Sequence, residues 1–282
     1  MAENSKIEWT NHTANLWWGC TEVHEGCDNC YAKVWDNRWE GAHWGNDAPR
    51  RVINSVWKDL ACYQRNAAAE NKIDYVFVMS MGDIAEKAMR LVDNKGNELP
   101  GTTNDLRNRF FNEVVPNSPN LIFLLLSKRP GNFNKYTPDA WKKNPPANVI
   151  FGTSIVNQPT TDTLIKQLLQ VPGKHFLSVE PQLDEISFRW AKWHDYNNPN
   201  NGTPFTEDGK NYIYHDQYDG LKGIDWVICG GESGHKKRPF NPDWARKLRD
   251  ECKEAGVPFF MKQIDKVQPI PEDLLIKQFP KC

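Results

Sequence analysis

The stretch LWWGCTEVHEGCDNCYAKVW, residues 16–35, sets Cys20, Cys27 and Cys30 in one short loop with C-x6-C-x2-C spacing. In a chain without secretory signals, thiols this close point to metal or redox chemistry rather than to a disulfide framework. Three chemistries are open. Zinc asks for four ligands in a tetrahedron, and His24 lies between the first two cysteines, so Cys20, His24, Cys27 and Cys30 would complete a Cys3His site. A redox pair would use Cys27 and Cys30 and leave Cys20 without a task. An iron–sulfur cluster held by three thiolates leaves one iron open to a small molecule. We prefer the cluster, because Gly19 and Gly26 stand beside two of the thiols, where the backbone must wrap a bulky group. The alternative is a non-catalytic, zinc-stabilised nucleic-acid-binding protein.

The bulk composition constrains the setting. The chain has 282 residues, 39% of them hydrophobic, and a formal net charge of −1. That is enough to bury one large core, and the charge gives no global basic field for nucleic acid. No apolar run reaches the roughly 18 residues that a membrane helix needs. The opening MAENSKIEWTNHT is polar and unlike a signal peptide. A soluble cytoplasmic protein without a membrane partner is expected. Twelve tryptophans are present, six of them before residue 45. Packing of a loop-rich N-terminus is the first explanation for them, and stacking on a cofactor or base is the second. Trp17, Trp18, Trp35 and the 189–223 segment are also possible lids.

Apolar runs that end in polar or glycine-rich residues recur along the chain. They are YVFVMSMGD from Tyr75, LIFLLLSKRP from Leu121, VIFGTSIVNQ from Val149, HFLSVEPQL from His175, DWVICGGESG from Asp225 and VPFFMKQ from Val257. Continuous β-branched and aromatic runs suit strands buried on both faces of a parallel sheet. ANLWWG, just before the cysteines, is expected as a first strand. Helical patterns alternate with the strands. A helix capped at Thr103 or Asn104 should bury Leu106, Phe110 and Val114. Another should bury Leu164, Leu168 and Val171. In a third, Asn241 caps, Pro242 opens and Gly256 stops a stripe of Trp244, Leu248, Cys252 and Ala255. Helix is also expected over about 52–69, and a surface loop over LVDNKGNELPGTTND. The fold class is therefore α/β, built from βαβ units in a single domain. The Asn- and Gly-rich segment 189–223 breaks the rhythm and reads as an insertion carrying a small hairpin.

A parallel barrel, closed or partial, gathers its chemistry at the C-terminal ends of its strands. Ser80, Gly82 and Asp83 follow the Tyr75 strand, and Ser127, Lys128 and Arg129 follow the next. Thr153, Ser154 and Asn157 come after the third, Ser178 and Glu180 after the fourth. Gly230, Gly231, Glu232 and Ser233 end the fifth, and Lys262 and Gln263 the sixth. Paired glycines let a backbone approach a ligand, Glu232 could accept from hydroxyls or an ammonium, and Lys128 and Arg129 suit a carboxylate or phosphate. Tight turns and solvated charges are the plain counterparts of each. Asp83 could equally cap the following helix.

The cysteine loop resembles the radical S-adenosylmethionine (radical SAM) motif, C-x3-C-x2-C, with its first spacing lengthened. The order IEWTNHT, GCTEV, GCDNCYA, MSMGD, LSKRP, GTSIVNQ, SVEP and ICGGESG, continuing to VPFFMKQ, is similar to a phage-associated family of radical-SAM-like proteins. This resemblance implies a partial (βα)6 barrel. It implies a [4Fe-4S] cluster on Cys20, Cys27 and Cys30, and S-adenosylmethionine as cofactor. The segment Ser80, Met81, Gly82 and Asp83 would meet the methionine amino group. Ser154 and Glu180 would lie near the ribose and methionine, and Gly230 and Gly231 would flank the adenine. Lys128, Arg129 and Glu232 would serve catalysis. SMGD departs from the usual Gly-Gly-Glu, and Asn29 stands where an aromatic is usual. An electron donor such as flavodoxin or ferredoxin would be a partner. The substrate would be a small molecule, a nucleotide or a modified thymine in DNA, with Lys236 to Arg238 near phosphate. The reaction would be an isomerisation such as amino-group migration, or an oxidation.

Overall fold

The computed structural model describes residues 5–38, 41–189, 191–193, 202–207, 209–213, 216–233 and 236–281. Seven parallel strands form the main sheet: β1 (His12–Ala14), β2 (Asp74–Val78), β3 (Leu121–Ser127), β4 (Val149–Ser154), β5 (Lys174–Val179), β6 (Trp226–Gly230) and β7 (Phe259–Gln263). Their order in the sheet is their order in the chain. A sheet wound in one direction curls rather than reversing at a switch point, and this one forms an open half-barrel.

Strand alternation divides the apolar residues between two cores. Val76, Val78, Leu121, Phe123, Leu125, Leu177 and Val227 face helices and share one cluster with Leu60, Ile165, Leu168, Leu248 and Cys252. Phe77, Ile122, Leu124, Ile150, Phe176, Ile228 and Phe260 point into the curl and pack around Trp9 and Trp226. The expected double burial of these strands is observed. Trp9 sits 4.7 Å from Phe77 and is edge-on to Trp226. Trp226 Nε1 donates to the Gln278 carbonyl at 2.8 Å, and Phe279 packs on its ring. The C-terminal tail thus stops the base of the half-barrel with aromatic surface, and the buried Trp9 and Trp226 rings are each worth about 2–3 kcal/mol of apolar burial.

The longer helices are α1 (Tyr31–Arg38), α2 (Val56–Ala69), α3 (Thr103–Arg109), α4 (Gln158–Leu168) and α5 (Pro242–Ala255). The ends of the last are as its sequence indicates: the Asn241 side chain accepts from Asp243 N–H, and Gly256 adopts a left-handed conformation at φ 70°, but its buried stripe is Ala245, Leu248 and Cys252, with Ala245 in the place expected for Trp244. In α4 the Asn157–Thr160 capping box fixes the start, and Ile165 takes the buried place expected for Leu164. The cap of α3 is Thr102, not Thr103 or Asn104. A π turn over Phe110–Val114 then shifts the buried face, so Phe111 and Val115 join Phe110 in the core.

Three other expectations need correction. ANLWWG is not the first strand of the parallel sheet. β1 ends at Ala14, and Trp17–Trp18 instead pairs antiparallel with Arg50–Val52 in a second, four-stranded sheet. The helix expected from residue 52 begins at Val56, because Arg50–Val52 is a strand. The expected surface loop after Met89 is a hairpin, Arg90–Val92 with Glu98–Thr102, whose turn closes on the Asp93 carboxylate. In the 189–223 segment, Ala191–Trp193 pairs with Asp216–Tyr218 and Pro204–Glu207 with Lys210–Ile213. Residues 194–201 lie outside the described residues. No helix of the described residues is long and apolar enough to cross a membrane.

Candidate functional site

The cysteine loop lies over the C-terminal end of the sheet. Asn15, directly after β1, organises the neighbouring segment after β2: its Oδ1 accepts Met81 N–H at 2.7 Å, and its Nδ2 donates to Ser80 Oγ at 3.0 Å. Gly19 N–H donates to the Met81 carbonyl at 3.0 Å and bridges Gly82. The Tyr31 hydroxyl, one residue past Cys30, donates to the Ser80 carbonyl at 2.7 Å. Ser80, Met81 and Gly82 are therefore joined to both ends of the loop. Gly19 has φ +120°, and a Cβ there would meet the His43 carbonyl at 2.4 Å. A Cβ on Gly26 would strike Val156 and His24. Both glycines serve close approach by protein neighbours.

Two charged networks brace the loop. On the Cys20 side, Arg50 is fully buried, donates to both Glu86 carboxylate oxygens, and reaches Thr21 Oγ1 and the His43, Gly45 and Ala48 carbonyls. Asp83 accepts from Ala85 N–H, Ser127 Oγ, Lys128 N–H and Arg129 Nη1. Both its oxygens are thus committed to protein donors, and it anchors the Lys128–Arg129 turn. Arg129 spans Asp83 and the Thr21 carbonyl, with Nη1 4.0 Å from Cys20 Sγ. Beyond Cys27, Glu232 accepts from Asn29 Nδ2 at 3.0 Å and from Arg238 N–H at 2.7 Å. Arg238 also ion-pairs with Glu232 and donates to the Glu25 carbonyl. Burial alone would raise the Glu232 carboxyl, but the Arg238 and Asn29 hydrogen bonds hold it below its ordinary value. Arg129 and Glu232, expected in catalysis, are placed as braces. Lys128 is half-buried, and its ammonium has no ion pair among the described residues. Lys237 pairs with Asp265, so two of the three cations over 236–238 are already neutralised.

Below the loop, the inner face of the sheet changes from aromatic to polar toward the strand ends. Alternation carries Ile150 to Ser154, Phe176 to Ser178 and Glu180, and Phe260 to Lys262. Ser154 pairs in register with Ser178. Glu180 Oε1 lies 2.6 Å from Lys262 Nζ, and a Cβ on Gly230 would come within 3.1 Å of that oxygen. Gly231 could hold no Cβ, which would sit 2.2 Å from the Ile264 carbonyl. Ser154, Glu180, Gly230 and Gly231 therefore meet at one mouth. Lys262 completes this layer. Sequence reasoning noted Lys262 only as a strand-end charge, and the i, i+2 relation to Phe260 was the signal that placed it inside.

The donor set can be tested against a metal group. Cys20, Cys27 and Cys30 are all free thiols. Burial, with Asp83 and Glu86 nearby, pushes the Cys20 thiol up to about 12, while Arg129 partly offsets this. A thiolate in that place therefore calls for a bound cationic centre. His24 does not fit a zinc ligand. Its Nδ1 accepts Gly26 N–H at 3.1 Å, so the neutral ring carries its proton on Nε2 and presents no lone pair there. Burial and the nearby Lys128 and Arg129 push the imidazole down to about 4, which keeps it neutral. Among the described residues, no three His, Cys, Asp or Glu side chains converge closely enough for a single ion.

Fold and site together define a parallel α/β half-barrel protein with a braced cysteine loop across its C-terminal mouth. The chain belongs to the family described as Protein of unknown function (DUF5131), whose profile matches residues 4–272. No curated protein and no solved structure matches the chain significantly.

Proposed function

We propose that this protein is a radical SAM enzyme in which Cys20, Cys27 and Cys30 hold a [4Fe-4S] cluster. The observation that carries this reading is the joining of a loop of three free thiols to the segment after β2, above a polar layer at the mouth of a parallel half-barrel. When bound, the cluster and S-adenosylmethionine would supply one-electron reductive chemistry at the sulfonium, the electron coming from a reduced carrier, for hydrogen abstraction from a substrate. The chain's own residues orient and exclude water. The backbone of Ser80 to Gly82 approaches the methionine end of the cofactor. Ser154 and Glu180 offer an acceptor-rich wall to hydroxyls and ammonium. Gly230 and Gly231 bring their backbone close against Glu180 and Ile264 at the side where the adenine would lie, and the aromatic floor below is apolar.

The substrate class we infer is a nucleotide, or a modified thymine in phage DNA, with Lys128 available to phosphate. An electron carrier such as flavodoxin or ferredoxin, in a reducing cytoplasm, would serve the cluster. The zinc-binding alternative would have to break the Gly26–His24 hydrogen bond to free a lone pair. Anaerobic reconstitution followed by dithionite and S-adenosylmethionine tests the reading. Wild type should release 5′-deoxyadenosine, and Cys27→Ala should release none. Release by Cys27→Ala at the wild-type rate would remove it from the ligand set.

A further inference from the structure

His24 lies between Cys20 and Cys27, with its ring held by Gly26 N–H at Nδ1. The proton of the neutral ring is therefore on Nε2, which is buried and has no hydrogen-bond partner among the described residues. A fold rarely leaves a buried donor unpaired, and an acceptor arriving with a ligand is one explanation. The surroundings restrict that acceptor. Lys128, Arg129, Asp28 and Asp83 all act on the ring electrostatically, yet none hydrogen-bonds to it, and Arg129 also contacts Cys20 Sγ. Arg129 thus neighbours both the ring and a thiol of the same loop, which makes a sulfur the acceptor at hand. Hydrogen bonds to thiolate and sulfide sulfurs set the potential of a cluster.

We infer that His24 Nε2–H donates to a sulfur of the centre held by Cys20, Cys27 and Cys30, and raises its reduction potential. His24 is thus a positioning and tuning residue, not a ligand. The inference rests on the cluster reading above.

The test uses the full chain, reconstituted anaerobically with ferrous iron and sulfide and poised against redox dyes, with spin resonance as readout. His24→Leu removes the donor, and His24→Gln restores an N–H. At the poise where wild type is half reduced, His24→Leu should take up full iron. Its ratio of reduced to oxidised cluster should fall about tenfold, equivalent to about 59 mV for one electron. His24→Gln should recover most of that shift. A His24→Leu cluster with the wild-type potential overturns the inference. If His24→Leu takes up no iron, His24→Gln decides: a wild-type-like potential supports the donor role, and any other result overturns it. Wild-type protein that takes up no iron defeats the cluster reading itself, and that is seen without either variant.

Discussion

Cys20 and Cys30 belong to one loop, and arginines hold both ends of it, but the two ends sit in different surroundings. At Cys20 the arginine is Arg50, 0% exposed, forked onto a Glu86 that is 1% exposed. At the other end Arg238 is 30% exposed, and one of its partners, Asp28, is mostly in solvent. Removing one partner of a buried pair strands a charge, whereas water replaces the lost partner of an exposed one. The first half of the loop is therefore a fixed anchor continuous with the second sheet. The second half rests on contacts that can exchange with solvent.

Substitutions can break or sharpen this contrast. Arg50→Ala should have the largest effect, about 3–5 kcal/mol by urea unfolding, because Glu86 is left buried and unpaired. Arg50→Lys should recover only part, since an ammonium cannot fork across both oxygens. Asp83→Asn should cost about 1.5–3 kcal/mol, the range for hydrogen bonds to a charged group, and should lower iron occupancy by loosening Arg129 from Thr21. Glu232→Gln should cost about 1 kcal/mol at neutral pH. The Glu232 carboxyl is held below its ordinary value, so its contribution is full above that value and fades as pH falls through it toward the folded-state value. Melting curves of wild type and Glu232→Gln should accordingly converge on acidification. Asn29→Ala should be smallest, about 0.5–1 kcal/mol. If Glu232→Gln destabilised the protein as much as Arg50→Ala, the two halves would be equivalent and the contrast would fail.

The sheet strands from Tyr75 onward were legible because each is a continuous apolar run buried on both faces. The first strand was not. His12–Ala14 is short and polar at its start, while the more apolar Trp17–Trp18 turns away into the second sheet. The Glu98–Thr102 strand carries Pro100 and Gly101 and lies at a sheet edge, where neither residue breaks a central ladder, so its sequence reads as loop. Of the tryptophans, Trp9, Trp17 and Trp226 are core residues, and Trp17 is too deeply buried to act as a lid. Trp35 stays exposed beside Arg38. The thiols and the polar strand ends were visible as residue types. The Arg50–Glu86 and Glu232–Arg238 braces were not, because the first links a strand of the second sheet to the turn that follows Asp83 and the second reaches back to the loop across the chain. A charged side chain's type does not reveal whether it faces a ligand or another side chain.

The most direct measurement compares the spin-resonance spectrum of the reduced, anaerobically reconstituted protein with and without S-adenosylmethionine. A cluster held by three thiolates, with its fourth iron open, should give a clear change in g-values when the cofactor binds, and Cys20→Ala, Cys27→Ala and Cys30→Ala should each abolish the signal. A protein that takes up zinc but no iron, or a cluster whose spectrum ignores the cofactor, would contradict the account.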